Sequence, residues 1–461
     1  MTVIDTRVFR AYDIRGHAEN QLSADLYRLM GQAFGSEVRE RTKKANPTIA
    51  VGRDCRVTSP AFEAALVEGL VASGCKALRI GQTPTPLNYF AICHFDLDAG
   101  AQVSASHNPG HDNGLKLSLA KAQGFFGADI QGILKRCQEQ RFDAAPGGSA
   151  EELDATTPYK THLKKQFTNV AAGLTIGVDG GNGVAGPLYT EILGEAGASI
   201  SGLYIEPDGT FPNHHPDPSQ HSTLKDLQGI VTGEKLAMGL AFDGDGDRLG
   251  VVDEQGKIRS NDEILLLMAK DMLSRNPGNS VVCTVTSSGL IPSEMEKMGG
   301  KAHMSKVGRS FVQQVMQREG ALLGGETSGH FLFAEGYYGV DDAVIAALRV
   351  LDIVKRAGKP LSQILAEFPT VHQAHERRPH CDDDKKGAVV KAVTEHFQKT
   401  NDVATLDGAR ISFDGGAWVG IRQSNTTPCL TISIEARSAE QLKELETMVV
   451  EYFQNHHGMA V

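Results

Sequence analysis

Four short stretches of this chain gather residue types that can do chemistry. The first is QVSASHNPGHDNGLKLS, residues 102–118. Ser106 follows an apolar run, which puts it where a strand ends, the usual edge for ligand sites in α/β sheets. Serine, asparagine and proline also favour plain turns. No G-x-S-x-G elbow surrounds Ser106, which disfavours serine-hydrolase chemistry. A serine can instead carry a phosphoryl group. The resulting dianion repels incoming phosphate esters unless a divalent cation offsets its charge. That chemistry demands a compact carboxylate cluster elsewhere in the chain.

Such a cluster is present in LAMGLAFDGDGDRLGVVDE, residues 236–254. Asp243, Asp245 and Asp247 stand at i, i+2 and i+4, separated by glycines that let the backbone curl. Hard oxygen ligands of this kind suit Mg2+. Arg248 follows at once and can neutralise a phosphoryl oxygen. An EF-hand loop would also place carboxylates at these spacings. It needs glycine where Arg248 stands, and helices where apolar strands flank the motif. An aspartyl-phosphate phosphatase with Asp243 as nucleophile is the other competitor. It would leave Ser106 and Asp247 idle. A bare solvated turn is disfavoured, because three close carboxylates repel one another unless something cationic binds.

The third stretch, LLGGETSGHFLF (322–333), sets Glu326, Thr327, Ser328 and His330 in an apolar run. A carboxylate and a hydroxyl two residues apart can grip neighbouring sugar hydroxyls; a turn between strands is the plainer reading. The fourth, GIRQSNTTPCL (420–430), collects Arg422, Ser424, Asn425, Thr426 and Thr427. One guanidinium with several neutral donors and no carboxylate suits a phosphate dianion bound without chemistry. A polar hairpin loop is the alternative. FRAYDIRG (9–16) adds Tyr12 and Arg15 in a glycine-ended turn.

The elements that must position these loops are legible in the apolar pattern. PTIAVGRD (47–54), LTIGVDGGNG (174–183) and NSVVCTVTSSG (279–289) each read as a buried strand. Each leads into a helical pattern, over 60–73, 185–197 and 290–298. Continuous apolar strands of this kind are expected when helices cover both sheet faces. Rough seams fall at 146–158 and 253–262. After residue 369 the pattern changes to a helix near 385–399, three alternating strands and a last amphipathic helix over 439–455. The fold class is therefore α/β, with three similar units and a smaller C-terminal α+β domain. The domains are drawn at 1–153, 154–256, 257–368 and 369–461.

Bulk composition narrows the function classes. The 461 residues are 41% hydrophobic and 22% charged, with a net charge of −10. That balance fits a soluble globular protein and argues against a general nucleic-acid binder. Seven scattered cysteines form no CxxC pair, which suits a reducing cytoplasm. No apolar run has the length of a membrane span, and the first residues carry charges rather than a leader's apolar core.

Taken together and in this order, the four loops resemble the α-D-phosphohexomutases. SASHNP resembles that family's phosphoserine loop, DGDGDR its magnesium loop, GETSGH its sugar-binding loop and RQSNTTP its phosphate-binding loop. Phosphoglucosamine mutases typically read R-x-S-G-T-E-P at the last site. RQSNTTP, FRAYDIRG and FPNHHPDP (211–218) are instead similar to the phosphomannomutase/phosphoglucomutase branch.

The resemblance implies four domains around a central cleft, with mixed sheets in the first three. It implies a phosphorylated Ser106 that exchanges phosphoryl groups with hexose 1- and 6-phosphates through a hexose 1,6-bisphosphate, which also serves as activator. Asp243, Asp245 and Asp247, with a phosphoserine oxygen of Ser106, would hold Mg2+. Arg248 would support the transferring group, and His107, Lys116 and His330 are candidates for proton transfer. Tyr12 and Arg15 would line the substrate side. Glu326 and Ser328 would grip two sugar hydroxyls. Arg422, Ser424, Asn425 and Thr426 would hold the phosphate that is not transferred. The expected partners are small sugar phosphates, with no nucleic acid and no membrane, and a monomer is favoured. A non-catalytic sugar-phosphate binder is the remaining alternative.

Two departures stand out. Related phosphomannomutases often read K-T-G-H-S where this chain has KVGRS (306–310), so Arg309 replaces a histidine. They also often carry a lysine where Val285 aligns. Arg309 is expected to take over the missing lysine's contact with substrate.

Overall fold

A buried strand, a turn and then a helix was expected at three places, and the unit forms at all three. Thr48–Arg53 leads to the helix Ser59–Ala72, Thr175–Asp179 to Gly186–Glu195, and Ser280–Thr284 to Leu290–Lys297. Proline as the second residue of two of these helices, Pro60 and Pro187, presets the backbone where the first N–H groups have no helical acceptor. The structure, a computed structural model, describes residues 4–424 and 427–461. The chain divides into two compact units, Met1–Ile264 with Ser328–Ile364, and Leu265–Thr327 with Leu365–Val461.

The first unit holds two sheets and a hairpin. In the first sheet the strands run in the order Ile14–His17, Asp112–Leu119, Ala99–Val103, Thr48–Arg53, Lys76–Gln82, Ser149–Glu152. Ala99–Val103, Thr48–Arg53, Lys76–Gln82 and Ser149–Glu152 are parallel, while Asp112–Leu119 and Ile14–His17 run antiparallel to their neighbours. The polar edge strand Ser149–Glu152 lies inside the stretch expected to be a seam. The second sheet runs Ile258–Arg259, Leu249–Asp253, Met238–Phe242, Thr175–Asp179, Ser199–Leu203 and is likewise mixed. The hairpin Phe331–Phe333 and Val340–Asp341 precedes the helix Ala343–Ala357, capped by Asp342.

Close packing beneath the first sheet depends on two glycines. A Cβ on Gly31 would fall 2.3 Å from the carbonyl oxygen of Leu66, and one on Gly69 would fall 2.1 Å from that of Arg28. The helices Ala24–Thr42 and Ser59–Ala72 therefore meet backbone to backbone, a spacing that any larger residue would force apart.

The second unit contains the parallel strands Lys301–Ser305, Ser280–Thr284 and Leu323–Gly325. It also contains the expected antiparallel sheet, in the order His372–Gln373, Leu430–Ala436, Trp418–Gln423, Ala409–Ser412, Val403–Ala404. The helices Lys386–Phe397 and Ala439–His457 form at the two places read from the sequence. Leu445, Val449, Tyr452 and Phe453 of the last helix are buried in this sheet's core. All seven cysteines are free thiols. Among the described residues, no helix is long and apolar enough to cross a membrane.

Candidate active site

Ser106 lies just beyond the end of the strand Ala99–Val103, with its backbone in the left-handed region at φ 53°. A residue with a Cβ resists that conformation by about 1–2 kcal/mol, so the surroundings must impose it. They do so through two arginines. The fully buried Arg56 donates to the carbonyls of Ser106 (2.8 Å), Asn108 (2.6 Å), Asp112 (2.9 Å) and Pro109. Asp54 anchors the same guanidinium at 3.0 Å. Arg15 sits on the strand Ile14–His17 opposite Gly114, and donates to the carbonyl of Ala105 and to Asn108 Oδ1. Ser104 Oγ accepts the Ser106 N–H at 2.9 Å.

The aspartate triplet forms the loop between two antiparallel strands, Met238–Phe242 and Leu249–Asp253. Strands on both flanks remove the EF-hand reading. Gly246, at φ 74°, supplies the turn that brings all three carboxylates to one point. One oxygen from each lies within 4.8 Å of the others, and all three residues are fully buried. Asp243 Oδ1 accepts the N–H groups of Asp247 (3.0 Å) and Arg248 (3.1 Å), which fixes the loop's curvature.

The two loops converge. Ser106 Oγ donates to Asp243 Oδ2 at 3.0 Å, and His107 Nδ1 lies 3.4 Å from the same hydroxyl. Lys116, on the strand Asp112–Leu119, reaches Asp245 Oδ2 and Asp247 Oδ2, each at 2.6 Å. The cation that lets three carboxylates share one site is thus a lysine of the first sheet. Asp245 Oδ1 and Asp247 Oδ1 are buried without a hydrogen-bond partner. Two orphaned carboxylate oxygens beside an acidic third ligand are a donor set that fits a hard divalent cation.

Electrostatics follow from burial and these pairs. Burial, then repulsion from Asp247 and Asp245, raises the Asp243 carboxyl well above its usual range. Burial, joined at Asp245 by repulsion from Asp247, works against ionised Asp245 and Asp247, but Lys116, together with Thr85 at Asp245 and with His330 and Arg248 at Asp247, holds both low. Burial opposes the charge on Lys116 too, yet Asp245 and Asp247 keep it above the ordinary lysine value. Burial, with Arg248 and Arg15 nearby, drives His107 well below the ordinary imidazole range, so its ring is neutral.

Arg248 Nε donates to His330 Nε2 at 3.1 Å, and His330 Nδ1 lies 3.0 Å from Asp341 Oδ2. A guanidinium can only donate, so the ring proton of His330 resides on Nδ1, facing Asp341. Arg248 also lies 3.9 Å from Asp217 Oδ1 and 4.0 Å from Asp243 Oδ2. Tyr12 is half-buried in the turn between the bridged residues Phe9 and Ile14.

The first unit therefore assembles Ser106, His107, Lys116, Asp243, Asp245, Asp247, Arg248 and His330, with Arg15 bracing the serine loop. It also contains Ser328, whereas Glu326 belongs to the second unit, with Arg309, Arg422 and Ser424. Asn425 and Thr426 lie outside the described residues. In the second unit, buried Glu326 accepts the Gly308 N–H at 2.7 Å, immediately before Arg309 opens the helix Arg309–Glu319. Arg422 Nη1 lies 3.8 Å from Asp407 Oδ2, the same oxygen that accepts the Val307 N–H at 3.1 Å. Ser424 is braced from below by Lys386, whose Nζ donates to its carbonyl at 2.7 Å.

Val285 lies just beyond the end of the strand Ser280–Thr284. Its side chain is buried and its carbonyl accepts from Arg410. The half-buried next residue, Thr286, brings its hydroxyl 3.4 Å from that of Thr327.

The comparisons with known proteins bear on all of these loops. Phosphoglucomutase/phosphomannomutase family models match α/β/α domain I over residues 6–144, domain II over 157–256, domain III over 260–371 and the C-terminal domain over 378–452. This chain belongs to the phosphoglucomutase/phosphomannomutase family. It is 37% identical to the phosphomannomutase/phosphoglucomutase of Pseudomonas aeruginosa, covering 96% of this chain and 94% of that one. It is 35% identical to the phosphoglucomutase of Neisseria gonorrhoeae, covering 97% and 96%. A solved phosphoglucomutase/phosphomannomutase family protein from Burkholderia thailandensis superimposes with a TM-score of 0.90 at 34% identity, covering 98% of both chains.

Several site residues of this family member were not legible in the sequence: Arg56, Thr85, Asp217, Asp341 and Lys386. The one available signal was GRDCR (52–56), an arginine two residues after an aspartate at a strand end.

Proposed function

We propose that this protein is a phosphohexomutase that interconverts the 1- and 6-phosphates of a hexose, which is mannose, glucose or both. The observation that carries this reading is Ser106 Oγ held 3.0 Å from Asp243 Oδ2, inside the aspartate loop. A hydrolase using Asp243 as nucleophile would need that carboxylate free. Instead, one of its oxygens is committed to two backbone N–H groups and the other to Ser106.

In the proposed cycle Ser106 carries a phosphoryl group at rest. The 6-hydroxyl of a hexose 1-phosphate attacks it, a new P–O6 bond forms, and the P–Oγ bond to Ser106 breaks. The proton of the attacking hydroxyl would leave through one of the candidates for proton transfer, His107, Lys116 and His330, and Ser106 Oγ would take up a proton as its bond to phosphorus breaks. The 1,6-bisphosphate then reorients, and Ser106 recovers the phosphoryl group from O1, leaving the 6-phosphate. Asp243, Asp245 and Asp247 would hold Mg2+, which would offset the charge of the transferring phosphoryl group. Arg248, fixed between His330 and Asp217, supports the same group's oxygens. Arg422, Ser424, Asn425 and Thr426 would hold the other phosphate, and Glu326 with Ser328 the sugar hydroxyls. Tyr12 and Arg15 would line the substrate side. The protein is proposed to act as a monomer in the cytoplasm.

The test is an assay with mannose 1-phosphate and glucose 1-phosphate, Mg2+ and a trace of hexose 1,6-bisphosphate, alongside intact mass. The 6-phosphate should appear, one phosphoryl group should be found on the protein, and Ser106→Ala should abolish both. Release of free phosphate by an active Ser106→Ala enzyme would establish the aspartyl phosphatase instead. Binding without turnover or phosphorylation would establish the non-catalytic binder.

A further inference from the structure

Thr85 opens the helix Thr85–His94 and is fully buried. Its N–H donates to the main-chain carbonyl of Asp245 at 2.9 Å, and its hydroxyl donates to Asp245 Oδ2, across 160 residues of chain. Lys116 Nζ donates to that same Oδ2 at 2.6 Å. One carboxylate oxygen thus takes two donors, while Asp245 Oδ1 takes none. Asp247 repeats the division, with Oδ2 on Lys116 and Oδ1 without a hydrogen-bond partner. Asp243 Oδ1 is occupied by two backbone N–H groups. Asp245 and Asp247 thus each have one oxygen tied to the protein and one that accepts no hydrogen bond, with His330 Nδ1 at 3.6 Å from Asp247 Oδ1.

From this division we infer that Thr85 is a positioning residue that makes the aspartate loop selective for a small divalent cation. Ca2+ takes six to eight oxygens and accepts bidentate carboxylates, whereas Mg2+ demands six short contacts and keeps waters. A carboxylate pinned at one oxygen can offer only the other. Lys116 pins both Asp245 and Asp247, but a lysine on a flexible stem can follow a rotating carboxylate. Thr85 cannot, because its own N–H is fixed on the same residue's carbonyl. Its hydroxyl therefore sets the plane of the Asp245 carboxylate. The inference rests on the reading of this loop as a metal site.

The experiment is calorimetric titration of the metal-stripped full chain with MgCl2 and with CaCl2, for wild type, Thr85→Val and Thr85→Ser. Valine keeps the shape and the backbone N–H but removes the hydroxyl; serine keeps the hydroxyl. Thr85→Val should weaken Mg2+ binding by about tenfold, the scale of a lost outer partner to a ligand, and leave Ca2+ binding unchanged or tighter. Thr85→Ser should keep the wild-type ratio of the two affinities. A folded Thr85→Val protein with the wild-type ratio overturns the inference. So does a Thr85→Ser protein that loses the preference, which also decides the matter if the valine variant fails to fold. Wild type that takes up neither cation overturns the metal reading itself, a result distinct from both.

Discussion

Asp243 accepts the Ser106 hydroxyl at 3.0 Å while its own carboxyl is raised well above the usual range by burial and by Asp247 and Asp245. The residue is thus costly to ionise in the metal-free protein, yet its charge is what a metal would need. Asp243→Asn keeps the shape and the acceptor for the two backbone N–H groups. It should melt higher than wild type without metal, because one of three crowded carboxylates is gone. It should also bind Mg2+ at least about tenfold more weakly. Thermal melts with and without MgCl2 check both; an unchanged Mg2+ affinity would sink the assignment of Asp243 as a ligand.

Lys116 is the resident counter-ion of the loop, at 2.6 Å from both Asp245 and Asp247. Lys116→Met leaves the carboxylates buried with no ammonium between them. Breaking a buried pair in this way costs on the order of 3 kcal/mol. The metal-free variant should lose about that much in urea unfolding, and Mg2+ should restore more stability to it than to wild type. Equal losses with and without Mg2+ would show that Lys116 serves packing alone.

Much of this site was legible because its motifs are local. Three aspartates at alternate positions already call for a cation, the apolar strands on either side disfavour an EF-hand, and Ser106 follows a strand end that periodicity locates. What stayed hidden acts at long range. Arg56 reaches the serine loop from 50 residues away, and Thr85 reaches Asp245 from 160. Thr85 in TPTPLNYF looks like any helix-opening residue, and nothing in its neighbours announces a carboxylate partner. The edge strand Ser149–Glu152 escaped for a different reason. It is short and mostly exposed, so it carries no apolar alternation, and only its pairing with Lys76–Gln82 defines it.

Arg309 follows directly on Gly308, whose N–H is held by Glu326 Oε1 at 2.7 Å. Its backbone is thereby tied to the carboxylate proposed to grip the sugar. Arg309→Ala should raise KM for mannose 1-phosphate and glucose 1-phosphate by roughly tenfold, the loss of one charge-assisted contact, with a smaller effect on kcat. Steady-state kinetics on both sugars give the answer. A KM unchanged for both removes Arg309 from the substrate's contacts.

His214 Nε2 lies 3.1 Å from Asp179 Oδ2, on a carboxylate that is almost fully buried and also accepts the Gly181 N–H. Burial disfavours the charged ring, but the Asp179 hydrogen bond and charge outweigh it, and the imidazole titrates above its ordinary 6.5. The folded protein therefore binds this proton more tightly than the unfolded chain does. The pair's stabilisation is full below the unfolded imidazole value and is lost as pH rises through the folded one. His214→Gln removes the titration, so the stability gap between wild type and variant should be widest near about pH 5.5 and shrink by about pH 9. Urea unfolding at the two pH values measures the gap. A gap that stays constant or widens with pH would mean that His214 is held neutral, and that Asp179 serves only as the acceptor for Gly181.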